Sequence, residues 1–415
     1  MRKLYFLLLL LPFCAASQTT LPEPGKSHIN FSRAIGWKGK MPKAPAGFTV
    51  SQFADGFESA RWIYVMPNGD VLVADTNAKY PVWVQAGAAI SGAAKANNMK
   101  RNPNKIILLR DSNKDGKYDV RETFLEEGLN QHLGMLVLGK YFYVANTNAL
   151  MRYPYEPGQT KITQNGEKIL DLPISGINMH WGKNLLANED GSKIYISVGS
   201  ATNIADQGMD DELLRANILE VNPDGTGLRV YASGLRNPMG MDWAPGTNTL
   251  YTVVVERDLL GDELVPDYFT SVKENGFYGW PYAYFGQNID KRVDEPHNDL
   301  VAKSIVPDVA MGAHTTCMGL TFYTGNAFPA KYRNGAFITQ HGSWNRKQLA
   351  GFKVVYVPFT NGKPSGAPED FLTGFIVEEG KDEVHGRPLG IAMMNDGSLL
   401  VTDDKANVVW RVAAK

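Results

Sequence analysis

The segment SGLRNPMGMDWAPGTNTLYTVVVERDLLGDEL, from Ser233 to Leu264, contains two apolar stretches typical of β-strands, joined by a turn at Gly246. Apart from Asp242 and Asn248, its charged and amide groups lie at the two ends: Arg236-Asn237 precedes the first stretch and Glu256-Arg257-Asp258 follows the second. A hairpin folds back on itself, so its two ends lie side by side. The segment therefore predicts a β-hairpin with an apolar middle and one polar open end.

The same arrangement recurs along the chain. A turn followed by a β-rich run occurs six times, and Gly or Asn in the turn supplies the positive φ that tight hairpins need. The six runs are NGDVLVAD from Asn68, GKYFYVAN from Gly139, DGSKIYISVGS from Asp190, GTNTLYTVVVE from Gly246, NGAFITQHG from Asn334 and DGSLLVTDD from Asp396.

Polar residues open the strand before each turn and end the strand after it. The openings are Arg61, Gln131-His132, His180, Arg236-Asn237, His314-Thr315 and His385-Gly386-Arg387. The ends are Asp75, Asn146, Ser200, Glu256, His341 and Asp403. Because each opening lies beside the matching end, all six polar ends are predicted to face the same side.

Six antiparallel units spaced by roughly 50 to 90 residues predict an all-β fold, a six-bladed β-propeller whose four-stranded antiparallel blades surround a central channel. The stretches NILEVNPDGTGLRVYASG and GFKVVYVPFTNGKPSG would supply outer strands. Near the N-terminus, GFTVSQFADG would complete the last blade beside NVVWRVAAK and close the ring. A β-sandwich of the same strands is the alternative, but it does not account for six recurring polar ends.

The N-terminus is typical of an export signal. Arg2 and Lys3 precede an apolar run, Leu4 to Phe13, that is too short to span a bilayer, and Ala15-Ala16-Ser17 offers small residues for cleavage. We therefore predict a signal peptide over residues 1–17 and secretion, in a bacterium to the periplasm. A lipid anchor on Cys14 is disfavoured, because the bulky Phe13 precedes it. Cleavage leaves a single cysteine and hence no internal disulfide.

After the signal peptide, residues 18–47 are predicted to be an irregular lead-in and residues 48–415 a single propeller domain. Residues 85–100 are predicted to be a small-residue insertion. No second apolar run reaches membrane-span length, so the chain is not expected to span a membrane. The net charge of −1 and the 20% of charged residues give no sign of a nucleic-acid partner.

Several kinds of chemistry lack their motifs in the sequence. No G-x-G-x-x-G follows a strand and opens a helix, no C-x-x-C-H attaches a haem, and no G-x-S-x-G forms a nucleophile elbow. What remains is a predicted ring of cationic and imidazole groups, suited to a small polyanion in a concave site. Taken singly, each is usually a hydrogen-bond or salt-bridge partner. The ring comprises Arg61, His132, His180, Arg236, His314, Arg346, Lys347 and Arg387.

Longer runs of the sequence resemble the sorbosone dehydrogenase group, which is similar to the soluble quinoprotein glucose and aldose dehydrogenases. The runs are GLRNPMGM, ERDLLGDELVPDYFTSV, NGFYGWPYAYFG, GAHTTCMGLTFYTGNAFP, QHGSWNR, VVYVPFTNGKPSGAPEDFLTGF and GRPLGIAMMNDGSLLVTDDKANVVWRV. The resemblance implies pyrroloquinoline quinone (PQQ) and calcium at one face of a six-bladed propeller. It also implies oxidation of a sugar or sugar-derived aldehyde, with electrons passing to an external quinone, cytochrome or dye.

The resemblance also assigns roles to individual residues. His180 in INMHWGKNLL matches the catalytic base, and Arg236 and Asn237 match groups that hold the quinone, where Arg236 would also stabilise negative charge on a quinone oxygen. Arg387 in HGRPLG matches a clamp on the cofactor's carboxylates. Further cofactor contacts match Arg346 or Lys347 in SWNRKQ, and Gln131.

The sequence departs from the glucose enzymes at two places. A second basic residue of those enzymes corresponds to Leu389, and a Gly-Pro pair corresponds to Asp258-Leu259. In the glucose enzymes the main-chain carbonyls of that pair bind calcium. We therefore expect calcium at the carbonyls of Asp258 and Leu259, or at the Asp258 carboxylate.

A second calcium candidate does not depend on the resemblance. The stretch DSNKDGKYDVRE has the spacing of an EF-hand loop, with Gly116 at the turn, although its flanks are typical of strands rather than helices. A polar hairpin turn is the alternative, and any ion here would be structural. The candidate ligands are Asp111, Asn113, Asp115, Lys117, Asp119 and Glu122.

Two other functions remain open on the same fold. A calcium-dependent lactonase-type hydrolase would use the metal to activate water and would recruit Asp75, Glu256 and Asp403. The arginine-rich open ends argue against it, because a lactone is neutral. A propeller that binds a partner without catalysis is the third possibility, since a fold alone does not determine function.

Overall fold

The computed structural model describes residues 21–79, 82–96, 102–174, 176, 178–295 and 297–415. The predicted signal peptide, residues 1–17, lies outside them. The described residues form a six-bladed β-propeller, and each blade is built on four antiparallel strands. The predicted fold is confirmed.

Two strands precede the blades in the chain, β1 (Arg33–Ala34) and β2 (Phe48–Ala54). Blade 1 contains β3 (Ala60–Val65), β4 (Val71–Asp75), β5 (Lys105–Arg110) and β6 (Val120–Leu125). Blade 2 contains β7 (Met135–Leu138), β8 (Tyr141–Ala145), β9 (Ala149–Pro154) and β10 (Glu167–Asp171). Blade 3 contains β11 (Lys183–Ala187), β12 (Ile194–Val198), β13 (Asn217–Val221) and β14 (Arg229–Ser233).

Blade 4 contains β15 (Pro238–Trp243), β16 (Leu250–Val254), β17 (Pro266–Ser271) and, after the short strands β18 (Gly276–Phe277), β19 (Ala283–Tyr284) and β20 (Asn288–Ile289), β21 (Val309–Ala313). Blade 5 contains β22 (Cys317–Phe322), β23 (Ala336–Gln340), β24 (Lys353–Val357) and, after β25 (Phe359–Thr360) and β26 (Lys363–Pro364), β27 (Glu369–Leu372). The short β28 (Glu383–Val384) precedes blade 6, which contains β29 (Pro388–Met393), β30 (Leu399–Asp403), β31 (Val408–Ala414) and β2.

The six predicted hairpins are the two innermost strands of each blade. In blade 4, for example, Pro238 pairs with Val254, and in blade 6 Pro388 pairs with Asp403. The loops after the second strand of each blade therefore all lie at one end of the ring. We call this end the mouth; the described residues of these loops are 76–79, 82–96, 102–104, 146–148, 199–216, 255–265, 341–352 and 404–407.

The ring closes as the sequence predicts. Strand β2 is the outermost strand of blade 6, where Phe48 pairs with Ala414 and Val50 with Val412. The Phe48 ring packs edge-on against Phe328 and Phe371 of blade 5, at centroid distances of 4.7 and 5.1 Å. Such pairs contribute about 0.5–1.5 kcal/mol each beyond their buried area. Closure thus joins the two ends of the chain through both hydrogen bonds and aromatic packing.

Two segments outside the blades reach the mouth. The insertion in blade 1 forms helix α1 (Val82–Ser91) and a 3-10 turn (Ala93–Lys95). The described part of the lead-in contains the short strand β1 and is anchored: the indole of Trp37 is buried and donates a 2.8 Å hydrogen bond to the Asp403 carboxylate. A second, short helix, α2 (Asn298–Val301), lies in blade 4. Neither helix of the described chain has the length and apolarity to cross a bilayer.

Glycines in the inner strands allow neighbouring blades to approach closely. A Cβ atom at Gly240 in blade 4 would lie 2.6 Å from the Leu320 amide nitrogen in blade 5. Equivalent contacts join Gly134 to Leu185 and Gly390 to Arg61, at 2.6 and 2.9 Å. Contacts below 3.0 Å force backbone to move, so each glycine sets the spacing between two blades.

We expect Gly240→Ala to lower the free energy of unfolding by about 1–3 kcal/mol, because the new methyl group overlaps the backbone of the next blade. Chemical denaturation measures the change. Gly87→Ala is the control, since a Cβ atom at Gly87 in α1 would meet no atom within 4 Å. Equal stability of the Gly240→Ala protein and the wild type would contradict the close-approach explanation.

Candidate functional site

The mouth contains a cavity of about 240 Å³. Five of the predicted site residues line it, although they come from loops of different blades. Arg61 and His314 of the predicted ring line it too. The structure thus brings together the predicted base, two predicted arginines and their neighbours: His180, Arg236, Asn237, Asp258 and Arg387.

His180 lies in the loop that joins β10 of blade 2 to β11 of blade 3. Its Nδ1 lies 2.8 Å from the Ser200 carbonyl oxygen, which can only accept a hydrogen bond. Nδ1 therefore carries the hydrogen, and Nε2 keeps its lone pair. Burial, and then the charges of Arg236 and Arg215, lower the pKa of His180 well below 6.5. The imidazole is neutral at pH 7 and can act as a general base.

Gly199 allows His180 and Asn237 to lie next to each other. A Cβ atom at position 199 would lie 2.5 Å from the Cβ atom of His180 and 2.2 Å from the Oδ1 atom of Asn237. The Oδ1 atom of Asn237 is buried and lacks a hydrogen-bond partner among the described residues. A ligand in the cavity could supply the missing donor.

Arg236 is fixed by main-chain carbonyls. Its side chain is buried and donates hydrogen bonds to the carbonyl oxygens of Glu256, at 2.7 Å, Val255, at 3.2 Å, and Asn203, at 3.3 Å. One carboxylate, that of Asp258, also lies 3.2 Å from the guanidinium. The positive charge is therefore held rigidly beside His180.

Arg387 is fixed in the same way. Its guanidinium donates to the carbonyl oxygens of His341, Ala96 and Gly342, at 3.0, 3.1 and 3.1 Å. Ala96 belongs to the blade 1 insertion, so the insertion helps to build the cavity wall. Carbonyls satisfy these N–H groups without cancelling the charge of the guanidinium.

Arg61, Asp404 and His341 form a second charged group on the wall. The Asp404 carboxylate lies 2.8 Å from the Arg61 guanidinium and 2.9 Å from the Nε2 atom of His341. Burial, and then the charge of Arg387, lower the pKa of His341 to about 4, so its ring is neutral at pH 7. Arg61 also lies over the Trp181 ring, 5.2 Å from the centroid. Trp181 and Trp344 both line the cavity and offer apolar faces to a planar or carbohydrate ligand.

The cavity wall is not purely cationic, because carboxylates lie among the predicted cations. Asp258 lies between Arg236 and His314. The Nδ1 atom of His314 is 3.4 Å from the Oδ1 atom of Asp258. Burial raises the pKa of Asp267 to about 6, even though the amides of Glu256 and Thr316 donate to it. The site is a mixed-charge cavity in which the arginines are buried, not a purely cationic one.

The residues present fit PQQ, a planar tricarboxylate with an ortho-quinone. Fixed guanidinium groups suit its carboxylates, the two tryptophans suit its plane, and the unpartnered amide oxygen of Asn237 suits a polar ligand. The neutral Nε2 atom of His180 belongs to the same cavity wall. The chemistry of the donors therefore matches an anionic redox cofactor.

A family model for TrAA12-like proteins matches residues 42–275 and 277–415. The chain belongs to the TrAA12-like family. An uncharacterized protein of Borreliella burgdorferi is 31% identical over 244 residues, which make up 58% of this chain. The match spans 62% of that protein's length.

Two solved structures share the fold of this TrAA12-like chain. The calcium structure of the Trichoderma reesei enzyme of carbohydrate-active enzymes family AA12 has a TM-score of 0.73 and 16% identity, covering 93% of this chain and 99% of that one. The holo form of the pyranose dehydrogenase PQQ domain from Coprinopsis cinerea has a TM-score of 0.70 and 18% identity, covering 92% and 100%. The resemblance found in the sequence is confirmed at the level of family and fold.

Three predicted cofactor contacts do not line the cavity in the described chain. Gln131 donates its backbone N–H to the Asn104 side chain, 3.0 Å away. Arg346 turns away to pair with Glu263, at 2.6 Å, and the backbone of Lys347 is bound by Asp262 and Asn30. The loop that follows Trp344 is held against the lead-in through Lys347. A role for Gln131, Arg346 or Lys347 in cofactor binding stays a prediction.

The structure places the two predicted calcium ligands, Asp258 and Leu259, differently relative to the cavity. The Asp258 carbonyl accepts hydrogen bonds from Asn203 and Arg292, at 3.0 and 2.9 Å, and the Leu259 carbonyl accepts one from Arg292 at 3.2 Å. The Leu259 side chain is exposed and lies outside the cavity wall. Of the two residues, only Asp258 lines the cavity. A calcium ion here would bind the Asp258 carboxylate and take further oxygens from the cofactor.

The EF-hand-like stretch forms the turn between β5 and β6, at the end of blade 1 opposite the mouth. Its carboxylates accept backbone N–H groups: Asp111 from Asp115 and Gly116, and Asp119 from Ser112. Nowhere in the described chain do three His, Cys, Asp or Glu side chains come together as a metal site. Calcium binding at Asp111, Asn113, Asp115, Lys117, Asp119 and Glu122 stays a prediction.

Several polar strand ends have a structural role instead of a role in the cavity. The Asp75 carboxylate accepts the backbone N–H groups of Glu58 and Ser59, and the Asp403 carboxylate accepts those of Arg387 and Ala406. The Asn146 side chain accepts the backbone N–H group of Asn130 and donates to the Gly128 carbonyl. These residues connect the loop before a blade to the end of its second strand.

Sequence reasoning missed Asp404, Trp181, Trp344 and Arg215. Asp404 directly follows the predicted strand end Asp403, and Trp181 directly follows the predicted opening His180. The signal that could have found them is therefore their position next to a predicted residue. Arg215 has no such signal. It lies in the loop 199–216 and acts on His180 from behind.

The His132 side chain is fully buried outside the cavity wall, and neither ring nitrogen makes a full hydrogen bond to a described residue. Burial lowers its pKa to about 3, partly offset by the nearby Lys105 carbonyl. In the unfolded chain a histidine binds a proton below about pH 6.5. Stability is therefore lost as the pH falls, because the unfolded state gains a proton that the folded state does not bind.

We expect His132→Gln to reduce the loss of stability between pH 7.5 and pH 5 by about 2 kcal/mol. Chemical denaturation at both pH values measures this difference. The same substitution at the exposed His297 gives the background for a surface histidine. A pH dependence unchanged by His132→Gln would show that this imidazole is not held neutral in the fold.

Proposed function

We propose that this TrAA12-like protein is a PQQ-dependent dehydrogenase that oxidises a sugar or a sugar-derived aldehyde, of the sorbosone or aldose type. Electrons would pass to an external acceptor, such as a quinone, a cytochrome or a dye. One observation carries the proposal: a neutral imidazole, His180, shares a cavity with the buried guanidinium groups of Arg236 and Arg387.

The known relatives of similar fold support the choice of cofactor. One is the PQQ domain of a pyranose dehydrogenase in its holo form, and another is a calcium structure of an AA12 carbohydrate-active enzyme. Bound PQQ would supply the two-electron acceptor for the substrate's carbon. Calcium, if bound, would use the Asp258 carboxylate and oxygens of the cofactor.

His180 would act as the general base. Its Nε2 atom accepts the proton of the substrate hydroxyl that is being oxidised, and an aldehyde would react through its hydrate, which has such a hydroxyl. General-base assistance is worth about 10²–10⁴ in rate. Because Nδ1 is fixed on the Ser200 carbonyl, the ring is oriented before the substrate binds.

The arginines would bind and orient the cofactor. Arg387 and Arg61 present positive charge to carboxylates, and Arg236 presents positive charge beside His180, where negative charge develops during the oxidation. All three are held by carbonyls or by Asp404, so little reorganisation is needed when the anion enters.

The site would work outside the cytoplasm. The N-terminal residues 1–17 have the pattern of a signal peptide, and we propose export, in a bacterium to the periplasm. The domain itself depends on packing, since Cys317 is buried and forms no disulfide.

A lactonase-type hydrolase is the second candidate, because Glu256, Asp258, Asp267 and Asp404 line the cavity. Of the three carboxylates predicted for it, only Glu256 is on the wall, and Asp75 and Asp403 cap backbone N–H groups instead. We favour the dehydrogenase, since a neutral lactone would leave the buried arginines without an anionic ligand.

Reconstitution distinguishes the candidates. Purified protein is incubated with PQQ, with and without calcium, and assayed for dye reduction with a panel of aldoses and sugar aldehydes. We expect dye reduction that depends on PQQ. Metal-dependent hydrolysis of lactones would favour the second candidate, and no activity in either assay would favour a binding protein.

We expect His180→Gln to lower kcat by at least about a hundredfold, because the base is lost, with PQQ affinity little changed. Stopped-flow reduction and equilibrium PQQ binding measure the two quantities. His297→Gln, a surface substitution, is the matched control. Near-normal turnover of the His180→Gln enzyme would refute the assignment of the base.

A further inference from the structure

Two contacts from Ser200 determine which nitrogen of His180 carries the hydrogen. The Nδ1 atom lies 2.8 Å from the Ser200 carbonyl oxygen and 3.1 Å from the Ser200 hydroxyl oxygen. The hydroxyl donates its own hydrogen to the Thr202 carbonyl, at 2.6 Å. Towards His180 both oxygens can therefore only accept. The partner of this imidazole is neutral backbone and hydroxyl, not a carboxylate.

The Ser200 carbonyl is in turn fixed by Arg215. The guanidinium of Arg215 donates to the carbonyl oxygens of Ser200 and Gly199, at 3.0 and 3.1 Å. It also donates to the side-chain oxygen of Asn178, at 3.0 Å, and lies 3.4 Å from the His180 carbonyl oxygen. A single buried side chain thus joins the loop that carries His180 to the loop that orients it.

The charged residues near His180 are Arg236, Arg215, Glu212 and Lys183. Arg236 and Arg215 both disfavour a protonated ring. Glu212 lies beside Arg215, 4.0 Å away, and its carboxylate accepts the N–H groups of Ala201 and Thr202. Lys183 is buried, and burial lowers its pKa well below the usual value, which makes it a weak source of positive charge.

We propose that Arg215 is a positioning residue for the base: it fixes the Ser200 carbonyl and supplies a positive charge behind the ring, so that His180 stays neutral with Nε2 open to the cavity. The catalytic part of the proposal, that His180 is the base, rests on the proposed function. Its structural content, the tautomer and the charge state of His180, can be measured without turnover.

One consequence is retention of the base at acidic pH. An ordinary histidine is protonated below about pH 6.5 and loses its lone pair. Because the ring is buried and two guanidinium groups lie near it, the pKa of His180 is well below 6.5, and Nε2 stays unprotonated at lower pH. The enzyme would therefore show no loss of kcat/KM near pH 6.5 that is due to the base.

The test is an NMR titration of the protein with ¹⁵N-labelled histidine. We expect the His180 ring to be the Nδ1–H tautomer and to stay neutral at pH 5.5. In Arg215→Met one positive charge is lost while burial and Arg236 remain, so the pKa of the ring should rise relative to the wild type. In Arg215→Lys the charge remains, so the ring should stay neutral while the fork of hydrogen bonds is lost. Arg229→Met, at a remote surface pair with Glu220, is the control.

Kinetics with the reconstituted enzyme give the second readout. As the pH falls from 7.5 to 5.5, we expect a larger loss of kcat/KM in Arg215→Met than in the wild type, because the base is protonated more readily. A uniform loss at every pH, with unchanged His180 titration, would mean that Arg215 has only a structural role and would overturn the proposal.

If Arg215→Met does not fold, the wild-type titration still tests the tautomer and charge state of His180. Asn178→Ala then tests whether the hydrogen bond from Arg215 to Asn178 contributes to them. A wild-type His180 that titrates near pH 6.5, or that carries its hydrogen on Nε2, overturns the proposal. Confirmed NMR behaviour in a protein without dehydrogenase activity would instead refute the proposed function and leave the role of Arg215 intact.

Discussion

Buried arginines that bind main-chain carbonyls hold the mouth of this propeller together. The loops at the mouth leave carbonyl oxygens outside the sheet ladders, and buried carbonyls need donors. Four arginines supply them, each with less than a tenth of its surface exposed. Arg215, Arg236, Arg257 and Arg387 bond carbonyls of residues far apart in sequence, such as Ala96 and His341 for Arg387.

The same contacts create the electrostatics of the cavity. A carbonyl satisfies a guanidinium N–H without neutralising the cation, so Arg236 and Arg215 place positive charge near His180. That charge favours an anionic ligand and adds to the effect of burial, which is the main reason that the His180 ring is neutral. Structural arginines and functional arginines are therefore not separate sets here: the residues that fix the loops also set the charge of the base.

The fold could be predicted from the sequence because turn glycines and polar strand ends repeat with the blades, and the closing strand β2 follows from the same pattern. The inner-strand glycines at 134, 240, 319 and 390 were equally visible, but their meaning depends on how near the next blade lies. Site residues were predicted less well, since a polar strand end can face the cavity, as Glu256 does, or cap backbone, as Asp75 does. Where a loop turns, as at Arg346, depends on tertiary contacts with the lead-in that no local pattern contains.

A crystal structure of the protein with PQQ tests most directly whether the buried cations of separate blades form one cofactor site. We predict PQQ in the cavity beside Trp181 and Trp344, its carboxylates facing Arg61 or Arg387 and its quinone oxygens on the side of Arg236 and His180. PQQ bound elsewhere on the protein, with this cavity holding only solvent, would contradict the central claim.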